Sequence, residues 1–211
     1  MRDVILAHGL WVPGVVMRPL AARLERAGLR CHTFSYMGAG RPLEAHAARL
    51  ARFAREVCER SGPAHFVGHS LGGLVILEAL QRHPETAAGR VVLLGTPVSG
   101  CYAGRRLAKY PGGRWFLGQS ESLWRERGAV RWSRPEALGV IAGTLPLGLG
   151  RLFGPLPGVN DGVVALAETA VEGMAERVTL PVGHSAMLVS ARVAEHVVAF
   201  LDKGSFPAQF R

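Results

Sequence analysis

The chain has 211 residues, 48% of them hydrophobic, and a formal charge of +9 carried almost entirely by arginine, since Lys109 and Lys203 are the only lysines. That length suits one domain with a sizeable core, and the apolar content excludes a disordered chain. Three widely spaced cysteines, Cys31, Cys58 and Cys101, exclude a disulfide framework and a cysteine metal site, and no apolar run reaches membrane-spanning length.

The first predicted element is a strand, Val4-Ile5-Leu6-Ala7, entered directly from Met1-Arg2-Asp3 with no leader ahead of it, which predicts a cytoplasmic protein. His8-Gly9-Leu10-Trp11 ends it as a turn. Arg18 to Ala27 reads as a helix with Leu20 and Leu24 on one stripe, and Leu29 to Tyr36 as a second strand. Pro42 to Arg60 is a long amphipathic helix with Leu43, Ala47, Leu50, Ala54 and Val57 on one side. Ala64-His65-Phe66-Val67 is a short apolar strand after Gly62-Pro63, and Gly73 to Leu80 reads as the next helix. Strands follow at Gly89–Leu94, Leu138–Ala142 and Arg177–Val182, with a final helix from about Ala186 to Asp202. Alternation of this kind predicts a parallel sheet with helices on both faces.

Between the third strand and its helix lies Gly68-His69-Ser70-Leu71-Gly72. It fits Gly-x-Ser-x-Gly, the nucleophile elbow, in which a strained strand-to-helix turn exposes the serine hydroxyl at a helix N-terminus. A serine hydroxyl needs a base, usually histidine, oriented by a carboxylate, in the chain order Ser, Asp or Glu, His. The aspartates are Asp3, Asp161 and Asp202, and only Asp161 falls between Ser70 and the later histidines, in the turn sequence Asn160-Asp161-Gly162. Glu168 and Glu172 are the fallback acids, in what reads as helix. His184 lies in Gly183-His184-Ser185, on a loop beyond the last strand, whereas His83 reads as a helix-end cap and His196 lies inside the final helix. Backbone donors for an oxyanion are expected at Leu71, after the nucleophile, and at Leu10, after the first strand. Trp11 would stand at the pocket mouth, and His69 lines the pocket or supports it.

These segments, together with Leu94-Gly95-Thr96-Pro97, resemble those of the α/β-hydrolases, and in particular of the compact bacterial lipases and esterases. The resemblance spreads over nearly the whole chain. It implies a doubly wound, mainly parallel six-stranded sheet in the order 2-1-3-4-5-6, with Ser70 as nucleophile, Asp161 as orienting acid, His184 as base and Leu10 and Leu71 as oxyanion donors. The family usually carries two further strands ahead of the His-Gly strand, and minimal lipases share their trimming. The activity implied is hydrolysis of a carboxylic ester, of a small molecule or a lipid, with no metal and no organic cofactor. The same triad serves a thioesterase or an acyltransferase, and a non-catalytic binding protein is the remaining alternative.

Val98 to Arg134 interrupts the alternation and is too long for an ordinary connection. With Trp115, Phe116, Leu117, Leu123, Trp124 and Trp132 it reads as a cap over Ser70, an insertion at about 98–136. Arg105, Arg106, Lys109, Arg114, Arg125, Arg127, Arg131 and Arg134 stand there against Glu121 and Glu126, a net of +6. No nucleic-acid-reading motif accompanies this charge, so an anionic substrate or lipid surface is the expected partner. Pro146 to Pro157, with Leu147, Leu149, Leu152, Phe153 and Leu156, is expected to wall the acyl pocket.

Overall fold

The computed structural model describes residues 1–125, 130–148 and 154–208. Its centre is a six-stranded sheet of β1 (Arg2–Ala7), β2 (Leu29–Phe34), β3 (Ala64–His69), β4 (Ala88–Leu94), β5 (Leu138–Gly143) and β6 (Glu176–Leu180). The order is β2-β1-β3-β4-β5-β6 and every pairing is parallel, as the resemblance implied.

Side chains alternate across each strand, so both faces must be covered. Ile5, Ala7 and Phe66 face one core with α2 (Leu43–Ser61) and α3 (Leu71–Arg82). Val4, Leu6 and Val67 face the other, with α1 (Arg18–Arg26) and α6 (Ala191–Lys203). Leu43, Ala47, Leu50, Ala54 and Val57 of α2 are all buried, and burying each large aliphatic side chain contributes about 2 kcal/mol. Pro42, extended ahead of the first turn, starts this helix, and Gly62 at φ 80° ends it. In α1 the stripe is Leu20 and Leu24, with Pro19 in the first turn where no amide proton is needed.

Two local expectations are corrected. The C-terminal helix does not run unbroken from Ala186: a 3-10 turn covers Ser185–Leu188, and α6 starts only after Ser190, whose hydroxyl caps it by accepting the Val193 N–H at 3.3 Å. Glu168 and Glu172 are not on one helix either. Glu168 sits in a 3-10 turn, Leu166–Thr169, and Glu172 in an extended bridge to Arg131.

The β4–β5 connection carries two short helices, α4 (Tyr102–Leu107) and α5 (Gly113–Leu117), and then a 3-10 turn, Gly118–Trp124. Leu117, Leu123, Trp124 and Trp132 are buried in the α2–α3 core, whereas Trp115 is 86% exposed. The segment reaches across the sheet edge: the Trp11 indole N–H donates to the Phe116 carbonyl at 2.9 Å, and the Gln119 N–H to that of Ala39 at 3.0 Å. Glu126 and Arg127 lie outside the described residues, as do Leu149, Leu152 and Phe153 of the expected pocket wall. Leu147 is exposed, and Leu156 packs against the core.

Candidate active site

Ser70 follows the last residue of β3 and precedes the first of α3. Its backbone has φ 54° and ψ −123°, a conformation a non-glycine residue holds only where its surroundings impose it. The imposition is visible. Ser70 N–H donates to the Leu94 carbonyl at 2.9 Å, and the Ser70 carbonyl accepts the Gly73 N–H at 3.0 Å. A β-carbon on Gly72 would overlap the Ala7 carbonyl oxygen of β1, so the helix lies against the strand only because that position is glycine.

Trp11, at φ 59°, is the other non-glycine residue with positive φ among the described residues. One of these strained residues is at the elbow after β3 and the other in the turn after β1. The β1 turn is held by His8. Its Nε2 accepts the Tyr36 N–H at 3.1 Å, leaving Nδ1 to donate to the Gly9 carbonyl at 2.8 Å. Tyr36 in return donates its hydroxyl to the His8 carbonyl at 2.7 Å and stacks on the imidazole at 4.4 Å. Burial holds His8 below the usual histidine range, so the neutral tautomer these bonds need persists. A β-carbon on Gly9 would lie 3.2 Å from Ser70 Cβ and 3.6 Å from Ser70 Oγ, which puts this turn beside the hydroxyl. Leu10 and Leu71 converge on Gly38, where a β-carbon would meet Leu71 Cδ2 at 2.9 Å and Leu10 Cδ1 at 3.1 Å.

Asp161 and His184 come from loops after β5 and β6. Asp161 is buried, and its two oxygens are divided between two tasks. Oδ1 accepts the Val163 and Val164 N–H groups at 2.9 and 2.7 Å, while Oδ2 meets His184 Nδ1 at 2.7 Å. The His184 N–H also donates to the Asp161 carbonyl at 2.9 Å. With Nδ1 donating to a carboxylate, Nε2 is the unprotonated, basic nitrogen. A β-carbon on Gly95, the residue after β4, would lie 2.9 Å from Asp161 Oδ2 and 3.1 Å from His184 Nδ1. The pair thus sits beside the strand end that binds the Ser70 amide. No hydrogen bond ties Ser70 Oγ to another described residue, as is common before substrate tightens such contacts.

His69 is fully packed between these parts. Its Nε2 donates to the His184 carbonyl at 3.0 Å, and the two rings lie 4.7 Å apart. Burial, then the neighbouring His184, pushes its pKa down to about 3. It is placed to support the His184 loop. Trp11, 47% exposed, lies against Phe116 with ring centroids 4.3 Å apart and the planes tilted by 36°.

The fallback acids are elsewhere. Glu168 accepts the Tyr102 N–H at 2.6 Å and the Ala165 N–H at 2.9 Å, which ties the start of α4 to the loop carrying Asp161. Burial pushes its carboxyl above the usual range. Glu172 pairs with Arg131 at 3.8 Å. His83 caps the end of α3, and His196 is buried in α6 with Nδ1 2.7 Å from the Arg192 carbonyl. Tyr36 and the clamp role of Glu168 had no sequence signal, because their partners are 28 and 66 residues away. Among the described residues no cluster of histidine, cysteine and carboxylate groups could hold a metal ion, and no helix is long and apolar enough to cross a membrane.

Known proteins share this fold. The Bacillus licheniformis lipase BlEst2 in its mature form superposes with TM-score 0.74 at 17% identity, covering 95% of this chain and 91% of that one. The metagenomic carboxyl esterase MGS0156 gives 0.68 at 17% identity, over 96% of this chain and 76% of the other. In sequence, the pimeloyl-[acyl-carrier protein] methyl ester esterase of Sodalis glossinidius is 34% identical over 97 residues, 46% of this chain and 37% of that enzyme. The corresponding enzyme of Edwardsiella ictaluri is 31% identical over a stretch of the same length. The profile of the alpha/beta hydrolase family matches residues 4–194, and the chain belongs to that family.

Proposed function

We infer that the protein is a serine hydrolase that cleaves carboxylic esters. The observation that carries this reading is the 2.7 Å bond from His184 Nδ1 to the buried Asp161 carboxylate, held at the same sheet edge as the strained Ser70. Ligands bind at this edge in open α/β sheets.

Ser70 Oγ attacks the acyl carbon as its proton passes to His184 Nε2. The carbonyl oxygen becomes an oxyanion facing the Leu10 and Leu71 N–H groups; the Leu71 amide, in the first turn of α3, has no partner within the helix. Collapse of the tetrahedral adduct breaks the bond to the alcohol oxygen, which leaves with the proton from Nε2. Water then attacks the acyl-enzyme and gives a proton to Nε2; the acyl–Oγ bond breaks, Ser70 Oγ takes the proton back from Nε2, and the acid is released. Asp161 holds the imidazole in the required tautomer and stabilises its charged form. The described part of the 98–136 insertion, held to Trp11 through Phe116 and to Ala39 through Gln119, serves as the cover of the acyl pocket. The names of the esterase relatives support an ester in preference to a thioester substrate.

A fluorophosphonate probe should add one label at Ser70, located by peptide mass, and p-nitrophenyl esters of two to sixteen carbons should be turned over ahead of acyl-CoA thioesters. Ser70→Ala should lose the label and about four powers of ten in turnover while remaining folded. A folded variant with near-native turnover would falsify the assignment.

A further inference from the structure

The face of α4 away from the core carries an unusual set of side chains. Tyr102, Arg105, Arg106 and Lys109 are spaced i, i+3, i+4 and i+7, along α4 and the turn after it, so they share one side. With Tyr110 and Pro111 they line an open cleft of about 420 Å³. The guanidinium carbons of Arg105 and Arg106 lie 5.7 and 5.8 Å from the centre of the Tyr102 ring. Arg106 Nη1 donates to the Tyr102 hydroxyl at 3.2 Å.

Charge here is poorly opposed. Arg105 has Glu168 at 3.9 Å, but that carboxylate is already engaged by two backbone N–H groups. Neither Arg106 nor Lys109 has a carboxylate within 4.0 Å among the described residues. Like charges at i, i+3 and i, i+4 repel, and an anion between them removes that repulsion. An adjoining cleft, which shares Arg105 and Lys109 with this one, differs. There Arg114 and Arg125 share Glu121, at 4.0 and 3.2 Å, so that cleft supplies its own counter-charge.

Two planar guanidinium forks, an ammonium and a phenol hydroxyl offer donors from several directions to one compact oxyanion. Arginine in particular suits phosphate oxygens, which it can bind two at a time. The cleft is larger than a phosphate group and leaves room for an ester carbon beside it. It is also braced to the reacting groups. The Tyr102 N–H binds Glu168, and Cys101 Sγ lies 3.6 Å from the carbonyl of Val163, whose own N–H binds Asp161.

We propose that this cleft is a phosphate-binding subsite, and that it receives the phosphate of a phosphate-bearing acyl ester. The second half of the proposal rests on the esterase reading; the first does not. Inorganic phosphate titrated calorimetrically into the intact protein at low salt should bind saturably at one site. Arg106→Gln combined with Lys109→Gln should weaken that binding at least tenfold. Arg114→Gln combined with Arg125→Gln removes equal charge from the adjoining cleft, leaves Arg106 and Lys109 in place, and should retain it. Equal loss in both pairs, or no saturable binding to the wild type, overturns the subsite. The substrate half is read from butyrylglycerol 3-phosphate against glycerol monobutyrate, which differ only in the phosphate. The wild type should show a KM about tenfold lower for the phosphate ester. The ratio should fall to about one in the Arg106/Lys109 pair and persist in the Arg114/Arg125 pair. Phosphate binding without a KM difference means that the site takes free phosphate, and overturns the substrate half. Phosphate binding with neither ester hydrolysed upholds the subsite and tells against the esterase reading instead.

Discussion

Replacing Asp161 by asparagine separates chemistry from stability. The carboxylate gives one oxygen to two backbone amides and the other to His184. In Asp161→Asn the amide oxygen should keep the first position, because two N–H donors face it and an NH2 group there would leave both unpaired. The NH2 then points at His184 Nδ1, which must become an acceptor. Its proton moves to Nε2, and the ring can no longer take a proton from Ser70. In other serine–histidine–aspartate triads this change lowers kcat by about four powers of ten, or about 5.4 kcal/mol of transition-state stabilisation at 1.36 kcal/mol per decade. Stability should fall by less than about 1 kcal/mol, since the bonds to Val163 and Val164 survive. Asp161→Ala is the contrast. It strands both amides and the ring nitrogen, and at about 1–3 kcal/mol for each buried group left unpartnered the loss is at least about 3 kcal/mol. Turnover of p-nitrophenyl butyrate and the free energy of urea unfolding should be measured on both variants. If the asparagine variant keeps a tenth of wild-type kcat, or is as unstable as the alanine variant, the division of labour between the two oxygens is wrong.

Gly72→Ala should cost about 3 kcal/mol, the upper end of overpacking, because the added methyl meets backbone of β1 that no rotamer change can move. Gly28→Ala, where nothing lies within 4 Å but φ is 85°, should cost about 1–2 kcal/mol from backbone strain alone; equal losses in urea titrations would count against the steric argument. Acid should destabilise the fold early. Burial pushes His65 and His69 down to about 4 and about 3, against about 6.5 when unfolded. The unfolded chain therefore binds more protons below pH 6.5, and stability present above that pH falls by up to about 1.4 kcal/mol per pH unit for each histidine. A urea midpoint unchanged between pH 7 and pH 5 contradicts this.

The sheet was legible in the sequence because its interior strands are short apolar runs between turn residues, as in Val4–Ala7 and Ala64–Val67. Its order came from resemblance, since nothing in periodicity says which strands are neighbours. Ser70 could be located from local spacing alone, because the elbow is a contiguous strand–turn–helix. Asp161 and His184 could be nominated from the scarcity of aspartate and from a loop position. Their mutual bond joins two loops and has no local signature. The same holds for Tyr36 on His8 and for Glu168 on Tyr102, side chains whose roles exist only after distant segments meet. The break before α6 was missed for a different reason. Apolar Met187 and Leu188 extend the helical pattern ahead of Ser190, and the cap overrides them.

β6 is an edge strand with β5 as its sole neighbour, and the loop that follows it carries His184. His69 and the His184 carbonyl it binds are 115 residues apart. A chain that has formed β1 to β5 and both interior faces, but has not docked β6, already holds most of its helix and core and has no base beside Ser70. Turnover is then a more sensitive gauge of completed assembly than circular dichroism. On gentle denaturation, fraying of this one edge should silence the protein while its helical signal persists.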